Sequence, residues 1–309
     1  MYILFIMKFI FFVVVSSALF ASFETYNWGS RAVGMGGSFV SISDDASAPI
    51  WNPAGMSKIK NIEFMFSYSK PYIGLIDGVN IDKNFLSFVI PTKIIPVGFV
   101  WTKLSVGSAI KYSEDSVIIS TGKKIEKLNL SLGVSVKYLG VKVVGDNNVD
   151  DPVIKNKGYT SALELDLGFL YFAKIYSKNF CFGLSTMLNE PDVGFSKVDV
   201  VKRKINFGVS METNMPNFII IPSISFLVYN NNFVPMLGCE FGINKNLVLR
   251  SGYNYTDLNF GFSYNFLIKV FGEIKIDYAY SLPLSLTDNS GSHNVSLVLK
   301  FDKSLKFKK

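Results

Sequence analysis

A single histidine, His293, occurs in the whole chain, so any Ser-His or Cys-His mechanism would have to run through it. It opens the last alternating segment and has no polar cluster around it, which disfavours a hydrolase. Cysteine is almost as scarce: Cys181 and Cys239 are the only two, and they form no metal-ligand spacing. Charged residues make up only 18% of the chain. Beyond the N-terminus there is no run of roughly 18 or more apolar residues, and so no spanning helix. Yet hydrophobic residues reach 49%, with 28 Phe and 15 Tyr. Apolar content without apolar runs means that apolar and polar residues are interleaved.

The formal charge is +7, a balance that can signal nucleic-acid binding. Here the lysines are scattered through turns and strand ends, and their only cluster, Lys303 to Lys309, reads as a solvated tail. Nucleic acid is not expected as a partner. Residues 1–21 read as a secretory signal; if translation starts at Met7, Lys8 supplies the charged region and Phe9 to Val15 the apolar core. An uncleaved membrane anchor is the competing reading, disfavoured because the run is short.

From residue 61 onward the dominant period is two, as in a strand whose faces meet different media. Leu128, Leu130, Leu132, Val134, Val136 and Tyr138 share one face, opposite Asn129, Ser131, Gly133, Ser135 and Lys137. Leu163 to Tyr171, Phe260 to Phe266 and Val295 to Phe301 alternate in the same way. About fourteen such segments follow, near residues 61–70, 83–91, 96–112, 115–124, 127–143, 158–174, 178–190, 202–213, 217–230, 232–243, 246–256, 258–267, 270–282 and 292–303. Most are long enough to cross a bilayer as tilted strands.

Alternation alone also fits a soluble sandwich. The connections decide between the two. The long polar ones, near 71–82, 144–157, 191–201 and 283–291, are all odd-numbered, as in an outer-membrane barrel with its longer loops outside. The expected fold is therefore all-β: a transmembrane antiparallel barrel of about 14 strands over 61–303, a periplasmic-side plug at 22–60 and a basic tail at 304–309. Outer-membrane lipid is its expected surrounding.

The plug assignment rests on Ser30 to Ala54, which does not read as a strand. Gly34, Gly36 and Gly37 are followed by Asp44-Asp45, then by Trp51-Asn52-Pro53-Ala54. A phosphate-loop reading fails because no Lys-Ser/Thr follows and no βαβ unit surrounds it. Glycine here permits tight turns against a barrel wall. The strand register places Lys137, Glu164, Asp166, Glu212, Glu240, Arg250, Glu273, Lys275 and Asp277 on the inward face. Facing lipid near the midplane, a Lys or Arg would cost about 2–4 kcal/mol.

Arg31 and Asp44-Asp45 are natural plug partners for these charges; helix capping by either Asp is the alternative. A calcium site needs more oxygen ligands than this pair offers, and neither metal nor cofactor is expected. Cys181 falls on the inward face and Cys239 on the outward one, so no disulfide is expected.

The glycines, acid pair and Asn-Pro-Ala of Ser30 to Gly55 resemble, in order and spacing, the N-terminal signature of PorV/PorQ-type outer-membrane proteins. More distantly they resemble the hatch of FadL-type fatty-acid transporters. Pro49 departs from the pattern. Leu249 to Tyr253, Asp277 to Tyr280, His293 to Phe301 and Asp166 to Tyr171 are similar to later elements of the PorV/PorQ group. The FadL resemblance implies plug-gated diffusion of small hydrophobic compounds, with a kink near Pro91 and Pro96 as a sideways opening. The PorV/PorQ resemblance implies a barrel that conducts little and binds secreted proteins or secretion machinery through loops 144–157 and 191–201.

Overall fold

The computed structural model describes residues 22–23, 27–75, 79–107, 110–145, 158–194, 199–216, 218–268, 272–286 and 289–301. The signal at 1–21, the tail at 304–309, Lys303 and the loop from 146 to 157 lie outside the described residues.

Fourteen strands follow one another: β1 Ile62–Lys70, β2 Asn80–Ile90, β3 Val97–Gly107, β4 Ile110–Ile125, β5 Leu130–Gly145, β6 Tyr159–Ile175 and β7 Lys178–Met187 form the first half. The second half is β8 Lys204–Asn214, β9 Ile219–Tyr229, β10 Asn232–Gly242, β11 Leu247–Asn254, β12 Asp257–Ile268, β13 Gly272–Pro283 and β14 Ser292–Phe301. Each pairs with its neighbour in sequence, and β1 pairs with β14 to close the barrel. Closure leaves no strand edge unpaired, which is what a hydrocarbon solvent demands of a sheet.

The alternation has the expected physical meaning. In β6, Leu163 and Leu165 are exposed outward while Glu164 and Asp166 are buried inward. In β12, Phe260, Phe262, Tyr264 and Phe266 are all exposed on the outside. No helix among the described residues is long and apolar enough to span a membrane; the crossing is made by strands.

The connections after β1, β5, β7 and β13 gather at one end, and the six even-numbered connections form short turns at the other. The proline opening expected near Pro91 and Pro96 is not there. Both residues lie in the turn between β2 and β3, and the ladder beside them runs unbroken from Ile90↔Val97 to Asn80↔Gly107. Because the prolines sit outside the strands, they remove no ladder hydrogen bond.

Residues 27–60 run inside the barrel. They include helix α1 (Ser30–Gly34), helix α2 (Ala48–Trp51) and a 3₁₀ helix (Pro53–Lys58). Pro49 falls in the first turn of α2, where a missing N–H costs nothing. The segment is held at more than the periplasmic side. Pro53 and Ala54 pack near the short-turn end against Gly122 and Gly133. Ser22 lies at the long-loop end, hydrogen-bonded to Tyr112 of β4 and to Asp199. The inner chain therefore has contacts at both ends of the lumen.

Candidate functional site

The candidate site is the packed lumen, built where the inner segment meets the wall. Close approach comes first. Gly36 has φ +62°, and a side chain there would meet the backbone nitrogen of Tyr253 at 2.5 Å; only glycine satisfies both constraints. Gly252 of β11 faces Gly36 from the other side of the contact, and Gly34 lies against Gly261 of β12. Gly37 turns the chain with φ +78°.

On the β14–β1–β4 side the contact is apolar. Trp28, Ala46, Ala48, Met56 and Ile59 of the inner segment form one buried cluster with Met65, Phe85, Val89, Val100, Ile118 and Val298 of the wall. Trp51 donates its indole N–H to the Trp28 carbonyl at 3.0 Å and meets Phe39 edge-on.

Asn52 spans segment and wall. Its amide donates to the carbonyls of Val40 (2.8 Å) and Phe169 (3.1 Å), and its Oδ1 accepts from the Ala54 N–H. Pro53 then opens the 3₁₀ helix, a position suited to a residue without an N–H.

On the β10–β13 side the contact is ionic. Arg31 holds Glu240 through two hydrogen bonds, Nε to Oε2 at 2.9 Å and Nη2 to Oε1 at 3.1 Å. Its Nη1 reaches Asp44 at 2.6 Å and Asp45 at 3.1 Å. Glu240 also accepts from Arg250 Nε at 2.6 Å, Arg250 reaches Asp277 at 3.3 Å, and Lys275 pairs with Asp277 at 3.1 Å. Lys58 lies 3.7 Å from Asp44. Arg31, Lys58, Arg250 and Lys275 thus face Asp44, Asp45, Glu240 and Asp277, and the formal charges cancel. A balanced, hydrogen-bonded set is the form in which buried charge is tolerated.

Burial, the largest single influence, would raise the pKa values of Asp44 and Asp45, but Arg31 together with Lys58 at Asp44, and with Lys275 and the Ser47 hydrogen bonds at Asp45, holds both below their ordinary value. Burial likewise opposes the charge on Arg31, and Asp44, Glu240 and Asp45 overcome it, raising its pKa further.

The N-cap of α2 is Ser47, which makes no side-chain cap hydrogen bond, so the acid pair does not cap that helix directly. Asp45 Oδ1 accepts from the Ser47 N–H at 3.0 Å and from its hydroxyl at 2.6 Å, just before α2, while the other oxygen faces Arg31. Neither Asp makes an ion pair with a wall cation; Arg31 carries the link to the wall. Glu164 and Asp166 form a separate cluster with Lys137, whose Nζ lies 2.6 Å from Glu164. Lys137 and Glu164 of this cluster border a cavity of about 50 Å³ that is also lined by Phe23 and Trp28.

Glu273 is inward but stands apart from these clusters. It sits half-exposed at the short-turn rim, 4.0 Å from Lys300. Glu212 is exposed at the same end. Cys181 and Cys239 are both free, and no group of residues suited to a metal ion occurs among the described residues. His293 Nδ1 is hydrogen-bonded to the Tyr278 hydroxyl at 2.7 Å.

Two buried lysines escaped sequence reading. Lys83 lies 4.3 Å from the Trp28 ring centre and donates to the Asn27 carbonyl at 2.7 Å. Lys204 donates to the Phe23 carbonyl. Their signal was parity: Lys83 shares a face with Phe85, Ser87 and Val89.

Comparison with known proteins bears on both fold and family. The CymD monoaromatic hydrocarbon channel is similar in structure, with a TM-score of 0.60 and 12% identity over 87% of this chain and 95% of that one. The Pseudomonas putida toluene transporter TodX gives 0.60 and 13% over 89% and 98%. A Pseudomonas aeruginosa FadL homologue gives 0.52 and 14% over 89% and 98%. At such identities the likeness is one of fold. No curated protein sequence matches.

The family model of type IX secretion system membrane protein PorP/SprF matches residues 47–299. The resemblance to type IX outer-membrane proteins is met at that level, with PorP/SprF in place of PorV/PorQ. This chain, an outer-membrane β-barrel, belongs to the PorP/SprF family.

Proposed function

We propose that this barrel is a membrane-embedded component of a type IX secretion assembly, with a lumen filled by residues 27–60 acting as a fixed plug. The inner segment bound into the lumen carries the reading. The cavity beside Lys137 and Glu164 holds only about 50 Å³, and the larger hollow of about 350 Å³ lies toward the short-turn end, where Asp44, Lys58, Lys124 and Glu212 make its lining charged. The wall offers no sideways exit at the β2–β3 turn, and Arg31, Asn52 and the glycine contacts tie the segment to strands on opposite sides. Loop 191–201 is then a contact surface for secreted proteins or machinery.

The second reading is a hydrophobic channel of FadL type. Its support is a cavity of about 180 Å³ at the long-loop mouth, lined in part by Val33, Pro71, Tyr72, Leu104 and Val106. That volume would hold a single aromatic ring.

Liposomes containing the purified protein separate the two. The expected result is no protein-dependent uptake of toluene or of a labelled long-chain fatty acid, together with crosslinks from loop 191–201 to other type IX components. Protein-dependent uptake that changes in an Asn52→Ala/Pro53→Ala variant would replace the first reading with the second.

A further inference from the structure

The outer surface of the barrel is uneven in charge. Across β8–β14 the outward-facing positions carry no Asp, Glu, Lys or Arg. Across β1–β5, near the long-loop end, they carry Lys70, Asp82, Lys103, Lys111, Asp115 and Lys142. Register assembles these into a patch. One row across the sheet runs Asp82, Ser105, Ser113, Lys142; the next toward the middle runs Asn84, Lys103, Asp115, Gly140. Lys111 stands one step further out, opposite Val144.

Two of the four lysines are already engaged. Lys70 lies 2.9 Å from Asp82, and Lys103 lies 3.7 Å from Asp115. Lys111 and Lys142 are exposed and have no carboxylate within 4 Å among the described residues. Lys111 faces Val144, two residues from Lys142, so the two lysines are diagonal neighbours, a spacing of about 7–8 Å. Like charges so placed repel unless an anion lies between them. Between them and Lys103, the small residues Ser105, Gly107 and Ser113 leave a hollow of about 340 Å³ on the outer face, whose far side is lined by Asp82, already paired with Lys70.

The surroundings say where this hollow sits. The next outward row toward the middle is Leu86, Trp101, Val117, Tyr138, followed by Phe88, Phe99, Ile119, Val136. Aromatic residues at the edge of an apolar band mark the membrane–water interface of such barrels. Lysines without a carboxylate partner among the described residues, just beyond that edge, stand at headgroup level, where anionic headgroups attract them.

We propose that Lys111 and Lys142, with Lys103 beside them, form a binding site on the outer face of β3–β5 for the phosphate-bearing headgroup of an outer-leaflet glycolipid. A phosphate between the two ammonium groups offsets their repulsion, and the apolar rows below accept the acyl chains.

The test is native mass spectrometry of the full chain, released from nanodiscs containing phosphatidylcholine with either bis-phosphorylated lipid A or lipid A stripped of its phosphates. The expected result is retained phosphorylated lipid A on the parent protein and at least a tenfold loss of retention in Lys111→Gln/Lys142→Gln. A Lys123→Gln variant, altered on β4 toward the short-turn end, retains lipid as the parent does. Circular dichroism and heat-modifiable gel migration confirm that both variants are folded. Equal retention by the double variant, or equal retention of the stripped lipid, would overturn the proposal.

Discussion

The inner segment rests on two unlike surfaces. Toward β14 and β1–β4 it is held by an apolar cluster centred on Met65, Phe85 and Ile118; toward β10–β13 it is held by the charges around Arg31 and Glu240. The outside reverses the order, since the ionic wall is uncharged outside and the apolar wall carries lysines near its outer rim. An apolar contact adapts to small shifts, whereas a forked arginine–carboxylate pair fixes one orientation. The ionic side therefore sets the register of the segment, and the apolar side contributes contact area.

Removing the centre of the ionic side has the largest expected effect. Glu240→Ala leaves Arg31 and Arg250 buried without their shared acceptor, at a cost of about 3–5 kcal/mol, measurable by chemical unfolding in detergent. If the loss is under about 1 kcal/mol, the charges do not hold the segment.

A pH titration sharpens the same point. Asp44 and Asp45 have folded pKa values below the ordinary 3.8. Such groups add stability that is fully present above that value and is lost as pH falls through the folded ones. Acid unfolding of the parent protein should show this loss below about pH 4, and Arg31→Ala, which removes the largest of the lowering influences, should flatten it.

The apolar side should respond less. Ile118→Val removes one buried methylene and should cost about 0.5–1.5 kcal/mol, with no change in the acid limb. The smallest effect belongs to the outer rim, where a double-mutant cycle on Lys70 and Asp82 should return about 0.2–1 kcal/mol and shrink in salt. A larger coupling there would place that pair away from solvent.

The barrel was legible because each strand separates lipid from lumen, and legibility failed where that contrast weakens. β4 was expected from 115 and begins at Ile110. Its first turn of pairs, Lys111-Tyr112-Ser113-Glu114-Asp115, is polar on both faces because the outward patch starts there. β2 begins at Asn80 instead of 83 for the same reason. The inward side of Glu240 and Arg250 followed from parity, but their partner did not: Arg31 is 209 positions from Glu240, and no local pattern links them. The length of the inner path was hidden too, since nothing in Ser22-Phe23 announces contact with Tyr112 and Lys204.

One small contact bears on how the molecule is assembled. Ser296 of the last strand accepts the backbone N–H of Ser30 at 2.9 Å, and its hydroxyl lies 2.8 Å from that of Ser30 and 2.9 Å from that of Ser67 on the first strand. The seam of the cylinder and the start of α1 thus meet at one group of three hydroxyls. Zipping the first strand to the last and docking the helix stabilise each other, so a half-closed sheet without its filling lacks part of what holds the seam. The inner segment is in that sense part of the closure itself, a third party to the joining of the first and last strands.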